Sequence, residues 1–136
     1  MNKKKTITII CLLLVAILLV SCTYGSYVTK RAYKQFSSQR MYMRYESFSG
    51  HLSRKVRIPA GEMFVITITT QTNSGSLTVQ VLDENDAVLV SQDTKTTDKA
   101  AYDIPARQDK AVYKIKVEGK HGGSFDIIWA TEKMQQ

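Results

Sequence analysis

The chain has 136 residues, room for one domain and an export segment. At 43% apolar and 23% charged residues it has the composition of a globular protein, which excludes wholesale disorder. Its net charge of +7 comes from the first forty residues; residues 41–136 carry 12 basic and 12 acidic side chains, and this even balance argues against a nucleic-acid-binding fold, which carries its positive stripe on the fold itself.

Lys3, Lys4 and Lys5 open the chain, and an apolar run broken only by Thr8 follows from Thr6 to Val20. The run falls short of the roughly 20 residues that a bilayer span needs. It suits the apolar region of a secretory signal, about 7–15 residues long behind a positive start. Leu19-Val20-Ser21-Cys22 comes next. These four residues resemble the lipobox of bacterial lipoproteins: an aliphatic residue, a small or aliphatic one, a small one, then cysteine. The resemblance implies that the Cys22 sulfur receives a diacylglyceryl group and that a dedicated signal peptidase cuts just before it. Residues 1–21 are then a signal peptide, and lipid on Cys22 holds the mature chain at the extracytoplasmic face of the cell membrane. An uncleaved N-terminal anchor is the alternative. Thr23 is not an aspartate, so the best-known inner-membrane retention signal of two-membrane bacteria is missing. Cys11 lies inside the apolar run and leaves with it, so the globular part has no disulfide of its own.

Residues 22–40 hold Lys30, Arg31, Lys34 and Arg40 without an acid, together with Tyr24, Tyr27, Tyr33 and Phe36. The composition predicts a lipidated, basic tether with at most a helical turn over Lys30–Phe36. Beside a lipid anchor each cation is worth about 1 kcal/mol near anionic headgroups. A solvated spacer is the simpler alternative.

From residue 41 the apolar pattern has period two. Val56 and Ile58, then Phe64, Ile66 and Ile68, then Leu77, Val79 and Val81 alternate with polar neighbours, as do Tyr113, Ile115 and Val117 and finally Phe125, Ile127 and Trp129. That pattern predicts strands with one buried face. Tyr45–Phe48, Val88–Val90 and Tyr102–Ile104 add shorter candidates. Pro59-Ala60-Gly61-Glu62, Asn73-Ser74-Gly75, Asp83-Glu84-Asn85-Asp86 and Gly122-Gly123 read as the turns between them. The expected product is an all-β domain over 41–136: a single antiparallel β-sandwich of seven or eight short strands, jelly-roll or immunoglobulin-like. The Ala-Gly-Glu turn before a Thr-rich strand, the run Gly75-Ser76-Leu77-Thr78-Val79-Gln80-Val81-Leu82-Asp83, and the closing Gly-Ser-Phe-Asp-Ile-Ile-Trp are similar to pre-peptidase C-terminal domains and galactose-binding-like jelly rolls. Many small lipoproteins of Gram-positive bacteria read alike. The resemblance implies a non-catalytic binding or accessory module and carries no site residue over.

The sequence offers no catalytic constellation: no HExxH, no GxSxG and no phosphate loop. His51 and His121 each sit near glycine and read as solvated turn residues. Asp83, Asn85 and Asp86 crowd oxygen ligands into one loop, and calcium takes six to eight oxygens; a turn whose Asx side chains bond their own backbone accounts for them more simply. Trp129, the sole tryptophan, is in phase with Phe125 and Ile127 and belongs to the core rather than to a sugar platform.

The reading is therefore a membrane-anchored lipoprotein without a cofactor, not an enzyme, that binds an extracytoplasmic protein or cell-wall ligand. A carbohydrate- or cell-wall-binding module is the first rival and requires two or three solvent-facing aromatics on one sheet face. A small hydrolase needs His51 or His121 in a pocket with a carboxylate. A subunit of a complex needs an exposed apolar patch, to be sought at Val65 and Ile128 on the nominally polar faces.

Overall fold

The computed structural model describes residues 23–133, with side chains from Gly25 onward. The expected signal peptide, Cys11 and the expected lipobox through Cys22 lie outside the described residues. The described residues form seven antiparallel strands: β1 (Thr23–Lys30), β2 (Tyr33–Ser37), β3 (Arg40–Ile58), β4 (Glu62–Leu82), β5 (Val88–Asp93), β6 (Lys99–Ile104) and β7 (Ala111–Lys133). Alternating apolar residues build them, and the period-two set becomes the core: Val56, Ile58, Phe64, Ile66, Ile68, Leu77, Val79, Val81, Tyr113, Ile115, Val117, Phe125, Ile127 and Trp129 are all buried.

Three strands are far longer than the sequence pattern predicts, at 19, 21 and 23 residues for β3, β4 and β7. Each bends at its middle and runs through two layers. In one layer the order is β1-β3-β7-β4-β5; in the other, β2 pairs with the first half of β3 and β6 with the first half of β4, again around β7. Contacts between the layers close the sandwich. Phe64 stacks on Tyr113 with ring centroids 5.5 Å apart. Gln92 of β5 donates to the Ile68 carbonyl at 3.3 Å and accepts from the Tyr102 hydroxyl of β6 at 2.9 Å.

The bend explains why two expected turns are not turns. Between Tyr45 and Phe48, β3 carries one residue more than β7 opposite it, and β4 does the same between Thr72 and Ser74. Such bulges kink a strand and shift which residues face inward. Accordingly the buried residues of β3 pass from odd to even numbers, Met41, Met43 and Tyr45 to Phe48 and Leu52, and those of β4 from Phe64–Thr70 to Leu77–Val81. β7, between them, keeps its phase and takes the bend at Gly122 and Gly123 instead. Gly123 has φ +141°, and a Cβ there would overlap the Gln71 carbonyl oxygen. Asn73-Ser74-Gly75 and Gly122-Gly123 are thus facing parts of one corner.

His121, expected in a solvated turn, sits at this corner with 3% of its surface exposed. Its Nδ1 lies 2.7 Å from the Tyr45 hydroxyl on β3 and its Nε2 2.8 Å from Thr72 Oγ1 on β4. A neutral imidazole satisfies both, one ring nitrogen donating and the other accepting. Burial lowers the His121 pKa and pushes the Tyr45 phenol upward, so both stay uncharged. The histidine pins the bend of three strands. His51 is exposed, as expected, but in β3 opposite Ser26 and Glu118 rather than in a turn.

The expected tether is a second correction. Residues 23–30 and 33–37 are strands hydrogen-bonded along β3, so the sheet begins at Thr23 and not at Tyr45. Edge strands pair on one side and face water broadly, so their composition is polar and basic although they belong to the fold. Lys30 and Arg31 reach Glu46 at 3.5 and 3.4 Å, and Lys34 lies 5.5 Å from the Phe36 ring centroid.

Candidate functional site

The second layer turns its outer face to water over β2, the first half of β3 and the second half of β7. Alternation decides what it displays. With Met41, Met43 and Tyr45 buried, Arg40, Tyr42 and Arg44 must point outward. The register sets Tyr33 beside Arg44, Gln35 beside Tyr42 and Ser37 beside Arg40 on one side. On the other it sets Ser124, Asp126 and Ile128 beside Arg44, Tyr42 and Arg40.

These side chains order one another. Arg40 holds Asp126 in a two-point clamp, Nε to Oδ1 and Nη2 to Oδ2, both at 2.9 Å. The hydrogen bonds it donates to Asp126, with that carboxylate's charge, hold the guanidinium still more firmly protonated. The Arg40 guanidinium lies 5.3 Å from the Tyr42 ring centroid and that of Arg44 lies 5.9 Å from Tyr33. The two tyrosine rings meet edge to face at 6.2 Å. Tyr33 is 54% exposed and Ile128 46%. The result is a shallow platform of two aromatic rings and one aliphatic side chain, with amide, hydroxyl, guanidinium and carboxylate groups between them. Such a surface offers apolar area to a flat ring and hydrogen bonds to its substituents; it has no nucleophile and base in contact.

Neither Trp129 nor the Asp83–Asp86 loop belongs to this face. Trp129 is 4% exposed and in the core, as its phase predicts. It floors a cleft at the open end of the sandwich lined by Ser38, Gln39 and Arg54 among others, but the Arg54 guanidinium lies 5.0 Å from the ring, over the indole. At Asp83-Glu84-Asn85-Asp86 each of the three carboxylates is engaged within the chain. Asp83 Oδ1 accepts the backbone N–H groups of Asn85 at 2.8 Å and Ala87 at 3.0 Å, the expected Asx turn. Arg107 binds both oxygens of Glu84 at 2.8 Å, and this contact, with backbone N–H groups, brings the Glu84 pKa down to about 2. Asp86 pairs with Lys114 at 3.1 Å. Among the described residues no three His, Cys, Asp or Glu side chains are grouped to hold a metal ion.

Ile128 lies where an exposed apolar residue is expected, while Val65 is half-buried. The sequence reading assigns Tyr33 to the tether and passes over Tyr42 and Arg44. The outward phase of Arg40, Tyr42 and Arg44 was a usable signal, since it follows from the buried phase of Met41, Met43 and Tyr45.

No protein-family model matches the chain, and no curated protein matches it. Solved structures similar to it include TmCBM61 in complex with beta-1,4-galactotriose, at 18% identity over 84% of this chain and 90% of that one, with a TM-score of 0.46. A family 35 carbohydrate binding module from Clostridium thermocellum matches at 13% identity over 82% and 98%, TM-score 0.45. TmCBM27, a carbohydrate-binding module studied for specific mannan recognition, matches at 11% over 87% and 92%, TM-score 0.43. These likenesses assign no ligand and no site residue to this chain, and the tyrosine platform stands on its own geometry.

Proposed function

We propose that the protein is a non-catalytic glycan-binding module, exported and held by lipid on Cys22 at the extracytoplasmic face of the cell membrane. The observation that carries the binding reading is the pair Tyr33 and Tyr42, side by side on an open sheet face and set among Gln35, Ser124, Arg40 and Asp126. Sugar rings have apolar faces and polar rims, and this surface has both in alternation. Tyrosine gives large contact area at low conformational cost, and the Arg40–Asp126 clamp fixes the polar groups before a ligand arrives. The Tyr33→Ala and Tyr42→Ala chains should each lose about tenfold or more in affinity for the polysaccharides the native chain retains, as for central aromatic contacts. Affinity electrophoresis against neutral and acidic polysaccharides checks this. Retention unaltered by both substitutions rejects the platform.

The anchoring reading rests on Leu19-Val20-Ser21-Cys22 behind a short apolar run. In cells fed labelled palmitate the native chain should take up label, and the Cys22→Ala chain should stay unlabelled and uncut. Label on the Cys22→Ala chain removes the cysteine from the account. Because β1 begins at Thr23, the residue after the cysteine, this reading seats the sheet edge close to the lipid with no intervening spacer.

A further inference from the structure

We propose that the platform takes an acidic glycan, one whose sugars carry carboxylate or phosphate, and that Arg44 is the residue that reads the charge. The inference rests on the glycan-binding reading and adds the ligand's chemical class.

Of the cations that look like a membrane tether in the sequence, Arg40 lies on the face of the two tyrosines, and Arg44 of β3 joins it there. Residues 30–46 carry Lys30, Arg31, Lys34, Arg40 and Arg44 against one carboxylate, Glu46. Asp126 of β7 is the second carboxylate in reach, through Arg40. On the face of the two rings Arg40 and Arg44 meet one acid, Asp126, whereas Lys34, in register with Met43, takes the opposite phase. Most of the charge is already engaged: Arg40 by Asp126, Lys30 and Arg31 by Glu46, and Lys34 near the Phe36 ring.

Arg44 differs. It is exposed, its contact is the Tyr33 ring at 5.9 Å, and no acidic partner or hydrogen-bond acceptor engages it among the described residues. Its strand neighbours on this face, Tyr33 and Ser124, bring no charge. A guanidinium presents its N–H donors in a rigid planar fork that fits a carboxylate or phosphate by two parallel hydrogen bonds. Placed beside two aromatic rings, that fork can meet a charged substituent of a sugar lying on the platform. The Arg44 charge, with no acid opposite it on this face, attracts such a polymer.

The test compares matched ligands on the full chain purified in detergent: polygalacturonate against galactan, and phosphomannan against mannan. Vesicles of phosphatidylglycerol serve as a third anionic surface. The native chain should prefer the acidic member of at least one pair by about tenfold at low salt, as a charge-assisted contact gives. The preference should shrink at about 0.5 M salt, where exposed charges are screened within a few ångströms. Arg44→Gln should abolish the preference, bringing the ratio of acidic to neutral affinity to about one, while leaving the melting curve as it was. Arg44→Lys, which keeps the charge and loses the fork, should restore only part of it. Equal binding of acidic and neutral partners by the native chain, or a preference that survives Arg44→Gln, overturns the inference and leaves the tyrosine platform standing. Binding of no polysaccharide overturns both readings. Arg44-dependent capture of the vesicles, with polysaccharides ignored, overturns the inference in favour of a lipid surface.

Discussion

Alanine in place of Gly123 should cost this domain about 3 kcal/mol or more, a strained backbone and an overfilled contact together. For about a hundred ordered residues that lowers the melting temperature by about 15 °C or more. Gly123 lies where β7 bends without an extra residue, at φ +141°, a region L side chains rarely adopt. The added Cβ would overlap the Gln71 carbonyl oxygen and lie 3.3 Å from Thr72 Cα. Both are backbone atoms of β4, and β4 cannot retreat without giving up its pairing with β7. Gly61→Ala is the control: φ is +79° but nothing lies within 4 Å of the new carbon. It should cost only the left-handed backbone penalty, about 1–2 kcal/mol. Thermal melts followed by circular dichroism separate the two, and equal losses would mean that the corner is not sterically closed.

Truncating Trp129 should be as damaging. The indole is 4% exposed, in register with Ile66 of β4 and in phase with Phe125 and Ile127. Trp129→Ala removes an aromatic from a packed core, a loss of about 3–5 kcal/mol, against a total stability of about 5–15 kcal/mol for such domains. The native indole, the only tryptophan in the chain, should emit at short wavelength and resist iodide. Its emission should stay constant when a polysaccharide occupies the tyrosine face. Ready quenching with an unaltered melting point would place the indole in water and transfer the sugar-platform role to it.

Much of this fold is legible in the alternation. The phase of Phe64, Ile66 and Ile68, or of Phe125, Ile127 and Trp129, names the buried face before any pairing is known. The length of the strands is not legible. Asn73-Ser74-Gly75 and Gly122-Gly123 suit a reversal and a sharp bend equally well, because both need small residues and unusual φ. Only pairing to strands far off in the chain decides between them. Residues 23–37 mislead for another reason: an edge strand buries little, so its charges and aromatics look like those of a spacer. The candidate site inherits that difficulty. Tyr33 lies on such an edge strand, and Tyr42 lies just past the start assigned to the folded part, so the two rings come together only through the pairing of β2 with β3. His121 is hidden by its glycine neighbours, which here make room for a corner.

The place of β7 has a consequence for the order of folding. It is the last strand in the chain's described part and the central one in both layers, with Arg40 of β3 opposite Ile128 and Glu62 of β4 opposite Lys133. The hairpin of β2 on β3 and the pairings of β1, β5 and β6 can form from residues already emerged. Neither layer can close until residues 111–133 arrive between β3 and β4. Pairings so distant in sequence are slow to form, and until then two long strands keep open edges. The core therefore cannot exist before residues 111–133 are free, and the release of one strand times folding.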